Sequence, residues 1–227
     1  MDRATRGSRT PRRTLALAAA GMLAVSIFGS TPASAVSGAG HLIANPDAVR
    51  HGMTYPQWEG AYQIWVNEIP LGKNPLVHPD SPRNCELQPG NTIFAGASGA
   101  NCHVPSGASI AFGTYFWECS TAEGLGDTWQ QLRRCALDNF QNDLSSVHVT
   151  LSIDGVLVHH PKAWTFLTPG EIIDFPEHNL WGADPGPSKS VTKGTLYIIK
   201  SLPEGSHVVH AHVAGTQLNF DWVFEVG

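Results

Sequence analysis

The sequence has little charge, since Asp, Glu, Lys and Arg make up only 15% of its 227 residues. With 42% hydrophobic residues, this composition argues against disorder and predicts a packed core. The 23 Gly and 16 Pro follow no triplet repeat, which excludes a collagen-like chain and predicts many turns. The net charge of −5 provides no basic surface for nucleic acid.

Long hydrophobic runs are also scarce. An apolar run from Leu15 to Phe28 follows an Arg-rich start and precedes the small-residue sequence Ala33-Ser34-Ala35. This pattern predicts a secretory signal peptide over residues 1–35. No later run of about 18 apolar residues follows, so we expect a secreted, extracellular protein rather than an integral membrane protein. Arg12-Arg13 leaves the twin-arginine route open beside the general secretory route.

Removal of the signal peptide makes the chain more acidic. Nine basic and eighteen acidic residues remain after residue 35, which gives a formal charge of about −9. An acidic surface disfavours anionic polymers and lipid head groups as partners. It is compatible with neutral glycans, cations or basic proteins.

The four cysteines all follow the predicted cleavage site and contain no C-x-x-C pair, which disfavours a zinc knuckle. In an oxidising compartment we expect two disulfides. Three pairings are open, and the sequential pairing closes the shortest loops. The residues are Cys85, Cys102, Cys119 and Cys135.

Two segments have helical periodicity. The first begins with the capping-box pattern Thr54-Tyr55-Pro56-Gln57, repeats aromatic residues at helical spacing and ends before Pro70. The second begins near Asp127 or Thr128 and places apolar residues on one face as far as Leu144. We interpret the aromatic residues of both helices as core residues.

The remainder predicts short strands. Asp154-Gly155 lies between two apolar runs and indicates a hairpin. The clearest strands are the last two, residues 207–213 and 218–226, in which hydrophobic and polar residues alternate. We therefore predict a mainly β protein, a single-domain β-sandwich over residues 53–227 with two helical insertions. Residues 36–52 are expected to form a flexible N-terminal arm.

Several short motifs support a resemblance. The matching pieces are Trp58 with Trp65, Ile69-Pro70, Asn74-Pro75, Cys102-His103-Val104-Pro105-Ser106-Gly107, Glu118-Cys119-Ser120, Cys135-Ala136 and Leu202-Pro203-Glu204-Gly205-Ser206-His207. In these pieces the chain resembles a group of uncharacterised secreted actinobacterial proteins, which implies secretion and a β-rich fold but no catalytic residues.

The densest histidine cluster lies in the last hairpin. A four-residue turn pairs residue 213 with 218 and places His210 opposite Asp221 and His212 opposite Asn219 on the polar face. A His-x-His pair with a nearby carboxylate is typical of Zn²⁺ or Cu²⁺ sites. The alternative is a solvated face with a His–Asp hydrogen bond. His210, His212 and Asp221 are therefore the candidate metal ligands.

Two functions follow from these patterns. The first is a non-catalytic module that binds a neutral glycan or a protein through Trp164 and Trp181, unless both pack in the core. The second is a metal-dependent extracellular enzyme that uses the His210/His212 face. The sequence identifies no substrate for either function.

Overall fold

The computed structural model describes residues 41–96, 99–144, 147–216 and 218–227. The predicted signal peptide lies outside these ranges, as do residues 36–40 of the predicted arm. From His41 onward the arm segment packs against the fold, because Ile43 forms a β-bridge with Ile199 and both Ile43 and Ala44 are buried.

The described residues form two α-helices and eleven strands, and the prediction of a mainly β sandwich with two helical insertions is confirmed. The helices are α1 (Tyr55–Asn67) and α2 (Trp129–Leu144). The strands are β1 (Glu86–Gln88), β2 (Thr92–Ala95), β3 (Asn101–Val104), β4 (Ser109–Ser120), β5 (His148–Ile153), β6 (Val156–Leu157), β7 (Thr165–Leu167), β8 (Glu171–Phe175), β9 (Gly186–Ile199), β10 (Gly205–Ala214) and β11 (Leu218–Val226).

Two sheets share one core. The six-stranded sheet has the order β1-β2-β4-β9-β7, with β8 also paired to β9, and the five-stranded sheet has the order β3-β11-β10-β5-β6. The rings of Phe112 and Trp222, one from each sheet, lie 4.8 Å apart between the sheets. Alternation buries Trp222 and Phe224 and leaves Asp221 exposed, so β11 has one core face and one solvent face.

Helix α1 covers the outer face of the six-stranded sheet. The side chain of Gln57 accepts a hydrogen bond from the backbone N–H of Thr54 at 2.8 Å, which satisfies one of the free donors at the helix start. Trp58, Tyr62 and Val66 are buried on the sheet side. The Tyr62 hydroxyl donates to the carbonyl of Ala95 at 2.9 Å, which fixes the helix to β2.

A β-bulge divides β4 into two halves. Gly113 pairs with Leu196 and Phe116 with Gly194, so β4 has one residue more than β9 between these pairs. The hydroxyl of Thr195 fills the bulge and accepts from the N–H of Tyr115 at 3.2 Å.

The bulge changes which side chains point to which face. Before it, Phe112 faces the inter-sheet core. After it, Phe116 lies on the α1 side, while Cys119 packs with Leu132 of α2 on the opposite side. The far end of the six-stranded sheet is therefore covered by α1 on one face and by α2 on the other.

The sequential disulfide pairing is present. Cys85 is bonded to Cys102, and Cys119 is bonded to Cys135. The second bond connects β4 to α2, whose apolar contact with the sheet contains few fully buried residues: Cys119, Leu132, Ala136 and Val191. This small cluster makes the attachment of α2 dependent on the disulfide.

We therefore expect the double substitution Cys119→Ala/Cys135→Ala to lower the free energy of unfolding by about 3 kcal/mol, as a closed loop of this size predicts. Urea unfolding would measure this loss. In the variant, the backbone amides of α2 should exchange faster than in wild type. Those of β10 and β11 should change less, because these two long strands do not depend on this bond. Unchanged protection of α2 would contradict the dependence.

Candidate functional site

His210 and His212 lie on the outer face of the five-stranded sheet, and their register with β11 agrees with the alternation of the sequence. His210 pairs with Asp221 and His212 with Asn219. The Nδ1 atom of His210 lies 2.6 Å from Asp221 Oδ1, and that of His212 lies 2.7 Å from Asn219 Oδ1. Both partners are acceptor oxygens, so each Nδ1–H donates, and in a neutral ring this tautomer leaves the lone pair on Nε2.

The predicted ligands His210, His212 and Asp221 are therefore arranged as two oriented pairs. Asp221 contacts Nδ1 of His210, the position of an outer-shell carboxylate in histidine metal sites. Among the described residues, no group of three His, Cys, Asp or Glu side chains is arranged to hold a metal ion. Any metal at this face would thus take its protein ligands from the two Nε2 atoms and complete its shell from elsewhere.

His207 has a different environment. Its Nδ1 lies 2.7 Å from Asp154 Oδ2 and its Nε2 lies 2.9 Å from the carbonyl of Pro203. The other carboxylate oxygen of Asp154 accepts from the N–H of Val208 at 2.8 Å. Both ring nitrogens of His207 are engaged, so this residue joins the β5–β6 turn to the start of β10 and is not available to a ligand.

The two tryptophans predicted to bind a ligand lie in different environments. Trp164 is only 7% exposed, and its indole N–H donates to the carbonyl of Ala44 at 2.8 Å, so it is a core residue. Of the two interpretations of Trp164, its burial agrees with core packing, because the segment around Ala44, before α1, covers the ring. Trp181 is 38% exposed, with its indole N–H bonded to Asn67 Oδ1 at 2.7 Å and its ring edge-on to Phe116.

A third tryptophan has a larger exposed surface than the sequence indicated. Trp129, at the start of α2, is 41% exposed, although helical periodicity placed it on the buried face. A Cβ on Gly170 would lie 2.9 Å from the indole ring, so only glycine allows this packing. Beside the ring is an open concavity of about 680 Å³, lined by Trp129, Gln130, Arg133, Pro169 and Gly170.

A row of buried polar side chains lies beneath Trp181. Glu59, Gln63 and Asn67 are spaced four residues apart on α1 and are all buried. Gln63 donates to Glu59 Oε1 at 3.0 Å and Asn67 donates to Gln63 Oε1 at 3.2 Å, while Trp181 donates to Asn67. The exposed indole is thus anchored through three hydrogen bonds to a buried carboxyl group.

Burial dominates the electrostatics of this row. It raises the pKa of Glu59 to about 7, an effect that the hydrogen bond from Gln63 and the nearby charge of Lys193 only partly offset. Burial of the Lys193 side chain itself lowers the pKa of that residue, which the charge of Glu59 partly offsets. Within the part of the chain that the structure describes, Oε2 of Glu59 has no hydrogen-bond partner. The buried carboxyl is therefore costly to ionise, and its 1% exposure leaves no route for a substrate to touch it.

Two further carboxyl groups on this side of the sheet have raised pKa values. Burial, the adjacent Glu123 carboxyl and its charge hold the pKa of Glu118 well above its usual range. Burial also raises the pKa of Glu171, whose carboxylate lies against Gly60 of α1. The interface between α1 and the long strands therefore carries an unusual density of carboxyl groups.

The sequence did contain signals for these residues. Glu59, Gln63 and Asn67 form a polar row, at intervals of four, within a helix otherwise rich in aromatic residues. Glu118 alternates with Cys119 in a long strand, but its face could not be assigned without the bulge. Helical periodicity and strand alternation identify such residues as unusual, whereas tertiary packing decides that they are buried.

We expect Glu59→Gln to remove a pH dependence of stability. In wild type the folded chain binds a proton that the unfolded chain releases between pH 4.5 and about 7, so stability should fall as pH rises through this window. The free energy of unfolding should therefore be lower by about 3 kcal/mol at pH 8 than at pH 4.5, from 1.36 kcal/mol per unit of pKa difference. Urea unfolding at pH 4.5 and pH 8 would measure it.

The matched control is Glu177→Gln, which neutralises an exposed carboxylate. This control should keep the wild-type slope, whereas Glu59→Gln should have a flatter profile and higher stability at pH 8. Parallel pH profiles for wild type and Glu59→Gln would show that Glu59 does not titrate in this window.

The comparisons with known proteins do not assign the chain to a family. No known family model matches it, and no curated protein matches it. The solution structure of amebosin is similar over 60% of this chain and 96% of its own length, with 8% identity and a TM-score of 0.23. A similarity this weak says nothing about the fold or the function of this chain. Within the described ranges, no helix is long and apolar enough to cross a membrane.

Proposed function

We propose that the chain is a secreted, non-catalytic module that binds glycans through the exposed indole rings of Trp129 and Trp181. The observation that carries the proposal is that both rings are exposed by about two fifths yet held in place. Gly170 supports Trp129, and Asn67 anchors Trp181. A rigid aromatic surface binds with a low entropic cost, since no rotamer has to be frozen.

The surroundings of Trp129 support a sugar as the ligand. The concavity beside the ring offers the amide of Gln130 and the guanidinium of Arg133, groups that donate hydrogen bonds to hydroxyl oxygens. The ammonium group of Lys189 lies 5.9 Å from the centre of the Trp129 ring. An apolar ring face with polar groups at its rim is the usual composition of a small-ligand site.

The burial of the perturbed carboxyl group behind Trp181 favours binding over catalysis at this ring. The carboxyl of Glu59, at the far end of the hydrogen-bonded row that anchors Trp181, is buried. A substrate on the indole face would be separated from it by Asn67 and Gln63. This arrangement supports a structural role for the acid and a recognition role for the ring.

We expect Trp129→Ala and Trp181→Ala each to weaken binding to a neutral oligosaccharide at least about fivefold, since central aromatic contacts are each worth more than 1 kcal/mol. Isothermal titration against a panel of neutral glycans would identify the ligand and then compare the variants. Leu157→Ala is the matched control, because Leu157 is also exposed but lies on the five-stranded sheet. Equal affinity in all four proteins, or no binding to the panel, would reject the proposal.

A second candidate function is metal binding by His210 and His212, the basis of a metal-dependent enzyme. The orientation of both rings supports it, because Asp221 and Asn219 hold Nδ1 and direct each Nε2 away from its partner. Two imidazoles on alternate residues of one strand face suit Zn²⁺ or Cu²⁺ once further ligands are supplied.

Calorimetric titration of Zn²⁺ and Cu²⁺ should detect binding to wild type and its loss in His210→Ala/His212→Ala. His159→Ala, at another exposed histidine, should bind as wild type does. Binding should weaken as pH falls, because a protonated imidazole cannot act as a ligand. Equal heats for wild type and the double variant would exclude this face as a metal site.

A further inference from the structure

The outer face of the β4–β9 ladder beyond the bulge carries a row of oxygen-bearing side chains. Glu118 pairs with Thr192 and Ser120 with Ser190, so the four side chains emerge on the same face as two adjacent cross-strand pairs. All four are buried. The hydroxyl of Ser190 donates to Glu118 Oε1.

The turn after β4 brings a second carboxyl group to this row. The hydroxyl of Ser120 donates to Glu123 Oε2 at 3.0 Å and also accepts from the N–H of Glu123 at 3.3 Å, which folds the side chain back over the strand. Because Ser120 also lies two residues from Glu118 on the same strand face, the Glu123 carboxyl is held beside that of Glu118. Two neighbouring carboxylates repel each other unless a proton or a cation lies between them.

Two atoms in the row are unsatisfied. Oε2 of Glu118 and Oγ1 of Thr192 are both fully buried and have no hydrogen-bond partner among the described residues, although the two residues are direct neighbours across the ladder. Buried polar atoms are nearly always paired with protein, water or an ion. A proton shared by the two carboxyls would satisfy Glu118 and leave Thr192 unpaired, whereas a cation accepts lone pairs from both.

The charge around the row also lacks a counterion. Among the described residues, the ion pairs involve neither Glu118 nor Glu123. Glu171 of β8 pairs with Ser190 and adds a third carboxyl group to the same side. Buried charge of one sign without compensation is strongly unfavourable. A bound cation would remove this cost.

We propose that Glu118, Glu123 and Thr192 bind a Ca²⁺ ion. The donor set consists only of carboxylate and hydroxyl oxygens, which suit hard cations and exclude the softer metals that nitrogen and sulfur ligands select. Ca²⁺ accepts irregular coordination by six to eight oxygens, whereas Mg²⁺ requires a near-ideal octahedron. Glu123 is only half-buried, so solvent reaches the site at its side chain and supplies the remaining ligands as water.

Calcium titrated into the exported protein at pH 7.5 tests the proposal. Extracellular Ca²⁺ modules have dissociation constants of about 0.1–1 mM. Under 10 mM Ca²⁺ such an affinity should raise the Tm by about 3–10 °C, given the linkage relation and the size of the domain. Glu123→Gln should abolish the shift, and Glu118→Gln, which reproduces the shape of a protonated carboxyl, should fold without it.

The control Glu204→Gln removes an exposed carboxylate elsewhere and should keep the full Ca²⁺ response. Mg²⁺ at the same concentration should produce a much smaller shift. A Ca²⁺ shift of equal size in wild type and Glu123→Gln would overturn the proposal. So would the absence of any Ca²⁺ response in wild type, which would identify the contact as a shared proton. Neither result depends on glycan binding.

Discussion

The pairing of β4 with β9 is the interaction on which the rest of the structure depends. These are the two longest of the described strands, and each of the other layers attaches to them. Before the bulge their inner face supplies the core shared with the five-stranded sheet. Beyond it they carry α1 on one face and, through Cys119, α2 on the other. The elements that hold the exposed rings of Trp129 and Trp181 therefore both pack on this one ladder.

The α1 interface shows how the fold tolerates polar groups within a packed layer. Glu59, Gln63 and Asn67 lie where a helix would ordinarily bury aliphatic residues, and each amide is hydrogen-bonded to the next member of the row. A satisfied polar row specifies a single helix register, because sliding the helix would break every bond together. The cost falls on Glu59, whose buried carboxyl is held largely protonated below pH 7.

The sequence predicted the parts of the fold in which local pattern and tertiary environment agree. The β10–β11 register follows from the alternation of Phe220, Trp222 and Phe224 and the short turn before them, and the structure has this register. The first half of β9 was not predicted, because its buried serines and threonines read as a loop. The short strands β1 and β3 were missed for lack of length.

The candidate site shows the same division between local and tertiary information. His210 and Asp221 could be paired from sequence because one hairpin contains both. Trp164 was a candidate for the surface and is buried, whereas Trp129 was expected in the core and is partly exposed. The first is covered by residues about 120 positions earlier, and the second lies at a helix end where only Gly170 supports it. Exposure of a large side chain depends on distant segments, which no local pattern encodes.

Because β4 has one extra residue at the bulge, the number of residues before Phe116 decides which face each later side chain of the strand occupies. Deleting one residue near Tyr115 would invert every side chain from Phe116 to Ser120, so Glu118 would turn toward α2 and Cys119 toward α1. The Cys119–Cys135 bond could then not close, and a carboxyl would meet the apolar contact of α2. Substitutions along this strand can be absorbed one at a time, whereas an odd change in its length cannot. The number of residues between Phe112 and Cys119 can therefore change only by an even number if both side chains are to keep their faces.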